Sequence, residues 1–174
     1  QKYFLKIKNR KSKFILNNFI SNSLLSWSSV DKLDLKKVEK EFESIDPRFE
    51  NLKSIQIVFL HCYYKSKKTD LSFKQLTSNN KIDFSRYNYF YAQYLSSKGK
   101  INEAKKVVNS SLKLYPRNLL LNQYKFDLEN GNNEINFNCE KQSHVIAEIL
   151  YITANALSSQ SVYTISNFYL NLAK

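Results

Sequence analysis

Gly99, Gly131, Pro47 and Pro116 are all the glycine and proline in this 174-residue chain. Sandwiches and barrels spend glycine and proline at every tight turn, so two of each cannot turn many short strands. The chain is expected to be all-α. The same scarcity excludes a glycine-rich phosphate cradle, which needs two or three glycines within one loop. Hydrophobic residues make up 43% and charged residues 24%, a globular balance. A chain of this length buries roughly 70% of the surface its unfolded state exposes, so its fold needs no staple.

Methionine is absent even from position 1, and Lys174 falls inside a helical pattern. The sequence therefore reads as a piece excised from a longer protein. It carries no apolar run approaching the length of a membrane span. The basic start, Gln1 to Leu16, lacks the ordered blocks of a secretory signal. Localisation stays open between cytoplasm and periplasm. Cys62 and Cys139 are compatible with a disulfide or with two separate thiols.

The net charge of +12 is unevenly spread: +6 over residues 1–30, −1 over 31–63, +10 over 64–125 and −3 over 126–174. Such a surplus suits phosphate neutralisation. Only four of the bases are arginine, however, the residue that reads bases and clamps phosphate in bidentate fashion. The lysines read more simply as a solvated face.

Tyr87, Phe90, Tyr91, Tyr94 and Leu95 recur at three- and four-residue steps, predicting a helix over 85–98 that Gly99 ends in a left-handed cap. A second helix, with Asn102 as N-cap, buries Ala104, Val107, Val108, Ser111, Leu112 and Leu114 and stops at Pro116. A third runs from Asn118 to Asn130, closed by Gly131. Aligned on itself at an offset of 62, the chain places Ala92–Ser97 opposite Ala154–Ser159, both ending Leu-Ser-Ser; Ala104 falls opposite Ser166 and Val108 opposite Leu170. Small residues at these places let two helices approach closely. Residues 131–139 are turn-rich, so a loop is expected where the middle repeat would have its second helix. Weaker helix patterns cover 13–30, 34–45 and 49–64, and Asp70 is a candidate cap for a short helix over Leu71, Phe73 and Leu76.

The segment from Ser85 to Asn118 resembles a tetratricopeptide (TPR) repeat, whose 34-residue pattern runs W-x2-L-G-x2-Y, A-x3-F, P. Here it reads Asn88-x2-Tyr91-Ala92-x2-Leu95, then Ala104-x3-Val108, then Pro116. A second copy reads Leu150-x2-Thr153-Ala154-x2-Leu157, then Ser166-x3-Leu170. Asn88, Thr153 and Ser161 depart from the pattern, Ser161 standing where the family favours glycine. The layout is similar to uncharacterised bacterial TPR proteins. The resemblance implies one domain over 1–174, a right-handed solenoid of antiparallel hairpins. Its parts are degenerate hairpins over 1–84, a clear repeat over 85–118, a degenerate repeat over 119–146 and a truncated one over 147–174.

The residues show no catalytic constellation. His61-Cys62 are adjacent and point about 100° apart on a helix, which disfavours joint chelation with Cys139 and His144. Ser143 beside His144 reads as a helix N-cap rather than a nucleophile. No cofactor, metal or catalytic residue is nominated. The resemblance implies instead a non-enzymatic scaffold binding a protein or peptide on its concave face. In TPR proteins that face takes the second, fifth, sixth, ninth and twelfth residues of each first helix. Those positions hold Arg86, Tyr89, Phe90, Gln93 and Ser96 in one repeat, and Glu148, Tyr151, Ile152, Asn155 and Ser158 in the other. Tyrosines would supply rigid contact area and the amides would bond an extended backbone. Alternatively, the two tyrosines pack between hairpins. Family members that clamp a C-terminal dicarboxylate carry lysine at the fifth position, so Tyr89 argues against that ligand. The functional alternative is nucleic-acid or anionic-surface binding through Lys98, Lys100, Lys105, Lys106 and Lys113.

Overall fold

A computed structural model of the chain describes residues 15–78, 85–132 and 134–174; the basic stretch up to Phe14 lies outside them. Among the described residues the fold is all-helical, with nine α-helices and no strand. They are α1 (Ile15–Trp27), α2 (Leu35–Phe42), α3 (Glu50–Tyr63), α4 (Thr69–Thr77), α5 (Ser85–Ser97), α6 (Ile101–Leu114), α7 (Leu119–Glu129), α8 (Gln142–Ser158) and α9 (Tyr163–Leu172), with a 3-10 turn at Pro47–Phe49. The chain forms two compact units, Gln1–Ser66 with Glu140–Lys174 and Lys67–Cys139. The first repeat copy lies in the second unit, and the second copy in the first.

In the unit that contains both ends of the chain, α1 packs on α2 and α8, α2 on α3, and α8 on α9. Its centre is Trp27, fully buried, whose indole N–H donates to Gln56 Oε1 at 2.9 Å. Burial of an indole demands such a partner. Gln142, in the first turn of α8, donates to the Trp27 carbonyl, tying α8 to the end of α1. Two chain-distant tyrosines brace the turn after α1: Tyr63 donates to Asp31 at 2.5 Å, and Tyr64 to the carbonyls of Val30 and Leu33 at 2.7 and 2.6 Å. The Asp31 bond, together with burial, pushes the Tyr63 hydroxyl up to about 12. His61 is buried with Nε2 2.8 Å from Glu39 Oε1, so a hydrogen bond to that carboxylate occupies the ring. Tyr163, Ile165, Phe168 and Leu172 of α9 face solvent.

In the other unit α5 is the hub: α4, α6 and α7 all pack against it. Ala92 of α5 and Ala104 of α6 are both fully buried, as are Ala154 and, nearly so, Ser166 in the α8–α9 hairpin. Small residues therefore stand at the close approach in both hairpins, as the offset of 62 predicts. The Ser166 hydroxyl also donates to the Ala154 carbonyl at 2.8 Å, satisfying a group that would otherwise be buried unpaired. Phe73 of α4 stacks on Tyr91 and Tyr94 at 5.2 and 5.4 Å between ring centroids. The Tyr91 hydroxyl donates to Asp70 at 2.7 Å, and Lys74 pairs with the same carboxylate at 2.6 Å. Burial raises Asp70, but those two hydrogen bonds outweigh it and leave the carboxyl below its ordinary value.

Helix ends repeat more regularly than the sequence does. Among the described residues four have a left-handed backbone, Lys65, Gly99, Gly131 and Ser161, and each is separated from the next by about the length of one helix hairpin. Each ends a helix. After Gly99, the Lys100 N–H reaches the Leu95 carbonyl at 2.9 Å; after Ser161, the Val162 N–H reaches Leu157 at 3.0 Å, the same bond displaced by 62. Ser66 to His61 and Asn132 to Asp127, both at 2.8 Å, complete the set. This six-to-one bond satisfies a terminal carbonyl and reverses the chain.

Three helix starts differ from expectation. The helices begin at Thr69, Ile101 and Gln142, and the cap positions are Lys68, Lys100 and Lys141, none of which offers a side-chain acceptor. Asp70, Asn102 and Ser143 thus lie inside first turns rather than at the caps. Asn118 does cap α7, its Oδ1 accepting from the Leu121 N–H at 3.0 Å. Cys62 and Cys139 are disulfide-bonded, and neither is free.

Candidate functional site

The expected groove residues of the first repeat lie on α5, and an extended segment of the chain itself lies against them. After Gly131 no helix forms as far as α8; residues 134–139 run as irregular chain. Their side chains alternate in burial: Phe137 and Cys139 are buried while Glu134 and Asn136 are exposed. That is the period of an extended segment with one face covered.

Gln93 makes the central contact. Its side chain is fully buried, its Oε1 accepts the Phe137 N–H at 2.7 Å, and its Nε2 donates to the Glu134 carbonyl at 3.3 Å. One amide thus replaces the donor and the acceptor that a helix or a neighbouring strand would offer this backbone. Phe90 carries the apolar part. Its ring stacks on Phe137 with centroids 3.8 Å apart and planes at 13°, and the Arg86 guanidinium sits 4.9 Å from its centroid. Tyr89 completes the line: Asn136 hydrogen-bonds its side chain, Tyr124 of α7 meets it edge-on at 5.1 Å, and burial pushes its hydroxyl pKa up. Ser96, one turn beyond Gln93, accepts from the Tyr124 hydroxyl at 2.7 Å.

These positions are therefore not open. Tyr89, Phe90, Gln93 and Ser96 are 0–8% exposed, which corrects the expectation that they line an open concave face. The physical reason is the segment 134–139, together with α7, which shields them from water. An alanine at Tyr89 would consequently disturb packing as well as any surface. In the other unit, Glu148 is buried, Tyr151 and Ile152 are half-buried, and Asn155 and Ser158 are exposed. The sequence signals missed are Phe137 and Glu134, and the alternation of Ile135, Phe137 and Cys139 is the pattern that marks them.

Of the basic patch, Lys98, Lys100, Lys106 and Lys113 are exposed or partly so and Lys105 is half-buried. Lys98 leans over the Tyr94 ring at 5.7 Å, and Lys100 lies 3.7 Å from Glu103. A cleft of ≈ 470 Å³ between α4, α5 and α6 is lined by Lys74, Glu103 and Lys106 among others, and by none of the expected groove residues. Among the described residues no cluster of three His, Cys, Asp or Glu side chains could hold a metal, and no helix is long and apolar enough to cross a membrane.

No family model, curated protein or solved structure matches this chain.

Proposed function

We propose that this chain is a non-enzymatic protein-interaction module, a TPR-like right-handed solenoid of helix hairpins with one degenerate repeat, and that α5 carries its surface for an extended polypeptide. One observation carries the proposal: Gln93 grips a backbone N–H and a backbone carbonyl of the same extended segment with the two ends of its amide. An amide used in this way recognises extended chain irrespective of most side chains, and the neighbouring Phe90 adds selectivity for an apolar ring. The left-handed caps at Lys65, Gly99, Gly131 and Ser161 support the repeat, because their spacing is close to the family's period. In this arrangement residues 134–139 stand where the degenerate repeat over 119–146 would have its second helix.

Binding of nucleic acid through the lysines has less behind it. Two of the five are engaged by Glu103 and Tyr94, and isolated exposed lysines are what solubility alone requires.

Selection of a phage-displayed peptide library on the immobilised chain, with and without a dithiol, tests the proposal. Enriched peptides should share one aromatic residue in an extended context, lose at least about tenfold in capture on Gln93→Ala, and bind almost equally at 50 and 200 mM salt. A surface that neutralises phosphates would lose about a thousandfold or more over that range. Absence of enrichment in both conditions, with salt-steep capture of oligonucleotides, would contradict the protein-binding function.

A further inference from the structure

The segment lying on α5 has the properties of a ligand rather than of a structural element. It has no helix of its own, in contrast to the chain after Gly99 and Ser161, where α6 and α9 follow at once. Its contacts are with three of the five α5 positions at which the repeat register puts a bound peptide: Asn136 on Tyr89, Phe137 on Phe90, and the backbone of Glu134 and Phe137 on Gln93. Two residues past Phe137 the chain is held covalently, because Cys139 is disulfide-bonded and 3% exposed.

Resting on the function proposed above, we propose that residues 134–139 are a built-in competitor for the α5 surface. Its external ligands are extended segments with an aromatic residue in the place of Phe137, and oxidation of Cys139 favours the internal segment over them. A tethered segment competes at an effective concentration on the order of millimolar, a level few external peptides reach. With both ends fixed, the internal segment is confined beside α5. Without the bond the Cys139 end is held only by the chain leading through Glu140 and Lys141 into α8, so the segment samples a larger volume and its effective concentration falls.

The switch needs a reductant, and a dithiol supplies it. One thiolate of the dithiol attacks a sulfur of the protein disulfide, breaking the S–S bond and forming a mixed disulfide. Its second thiolate then closes the ring and expels the remaining protein thiolate. Two electrons pass to the protein, which gains two thiols after protonation, and the dithiol leaves as a cyclic disulfide.

The test is fluorescence anisotropy with a fluorescein-labelled peptide of sequence Glu-Ile-Asn-Phe-Asn, that of residues 134–138. It is titrated with the intact chain, oxidised and then reduced by dithiothreitol, with far-UV circular dichroism checking that the helices persist. The reduced chain should bind at least about tenfold more tightly than the oxidised one, and a peptide with alanine for its phenylalanine should lose that binding. Two variants separate the switch from other effects of the reductant, and the second of them keeps the cross-link. Cys62→Ser/Cys139→Ser should bind as the reduced chain does whatever the dithiothreitol, and Phe137→Ala should bind while still oxidised. Equal affinity for the oxidised chain, the reduced chain and both variants would overturn the competitor and leave the α5 surface standing. No binding to any of them would overturn the surface as well.

Discussion

Phe90→Ala is expected to cost about 3–5 kcal/mol of stability, read as a fall in the urea midpoint at nearly constant slope. Phe90 is 3% exposed. Its ring touches three aromatic neighbours, Tyr87 at 5.7 Å, Tyr89 at 5.7 Å and Phe137 at 3.8 Å, with the Arg86 cation over it. Deleting the ring removes its transfer free energy and leaves a cavity walled by large, stiff side chains that cannot collapse into it. The loss also removes the platform under residues 134–139, so their amides should exchange faster in the variant than in the parent. A cost below about 1 kcal/mol would mean that Phe90 is not a packed element of this unit.

The second large effect belongs to the cysteines. Under denaturing, non-reducing conditions the chain should show no thiol reactive toward a colorimetric disulfide reagent, and after reduction it should show two. Loss of the bond is expected to lower stability by about 2–5 kcal/mol, because the denatured chain regains conformations that the cross-link forbids. The bond does not titrate, so the difference between oxidised and reduced midpoints should vary little with pH below the thiol range. Two reactive thiols before reduction would contradict the oxidised state on which the competition at α5 depends.

Sequence and structure agree most closely where the interactions are local. The apolar steps from Tyr87 to Leu95 locate α5 to within a residue, Gly99 and Gly131 do end helices, and Asn118 does cap α7. Ser161 takes the left-handed conformation that the offset of 62 demands of it, with no glycine to ease it. The failed caps share a cause: Asp70, Asn102 and Ser143 each have a polar side chain one or two positions inside the true start, and composition cannot fix a boundary that closely. Asp70 in particular is drawn off by Lys74 and Tyr91.

What was legible in the sequence of the candidate site is which side chains share a face of α5, not what covers them. Repeat register places Tyr89, Phe90 and Gln93 on one face of α5, and they do meet an extended backbone. That the backbone is the chain's own depends on contacts across 41 and 44 residues of sequence, which no helical periodicity reports. The division into two compact units is equally non-local, since one of them joins Gln1–Ser66 to Glu140–Lys174. Pairing of the cysteines is beyond reach for the same reason: spacing in sequence carries no information on their separation in space.

Residue-resolved hydrogen exchange at the Phe137 amide, in the intact oxidised chain, tests the central claim most directly. That N–H donates to the buried Gln93 Oε1 at 2.7 Å although it belongs to neither a helix nor a strand. Such an amide should exchange at least about a hundredfold more slowly than in an unstructured peptide, and Gln93→Ala should remove most of that protection. Exchange at the unstructured rate in the unsubstituted chain would mean that residues 134–139 do not occupy α5, and would contradict the account at its centre.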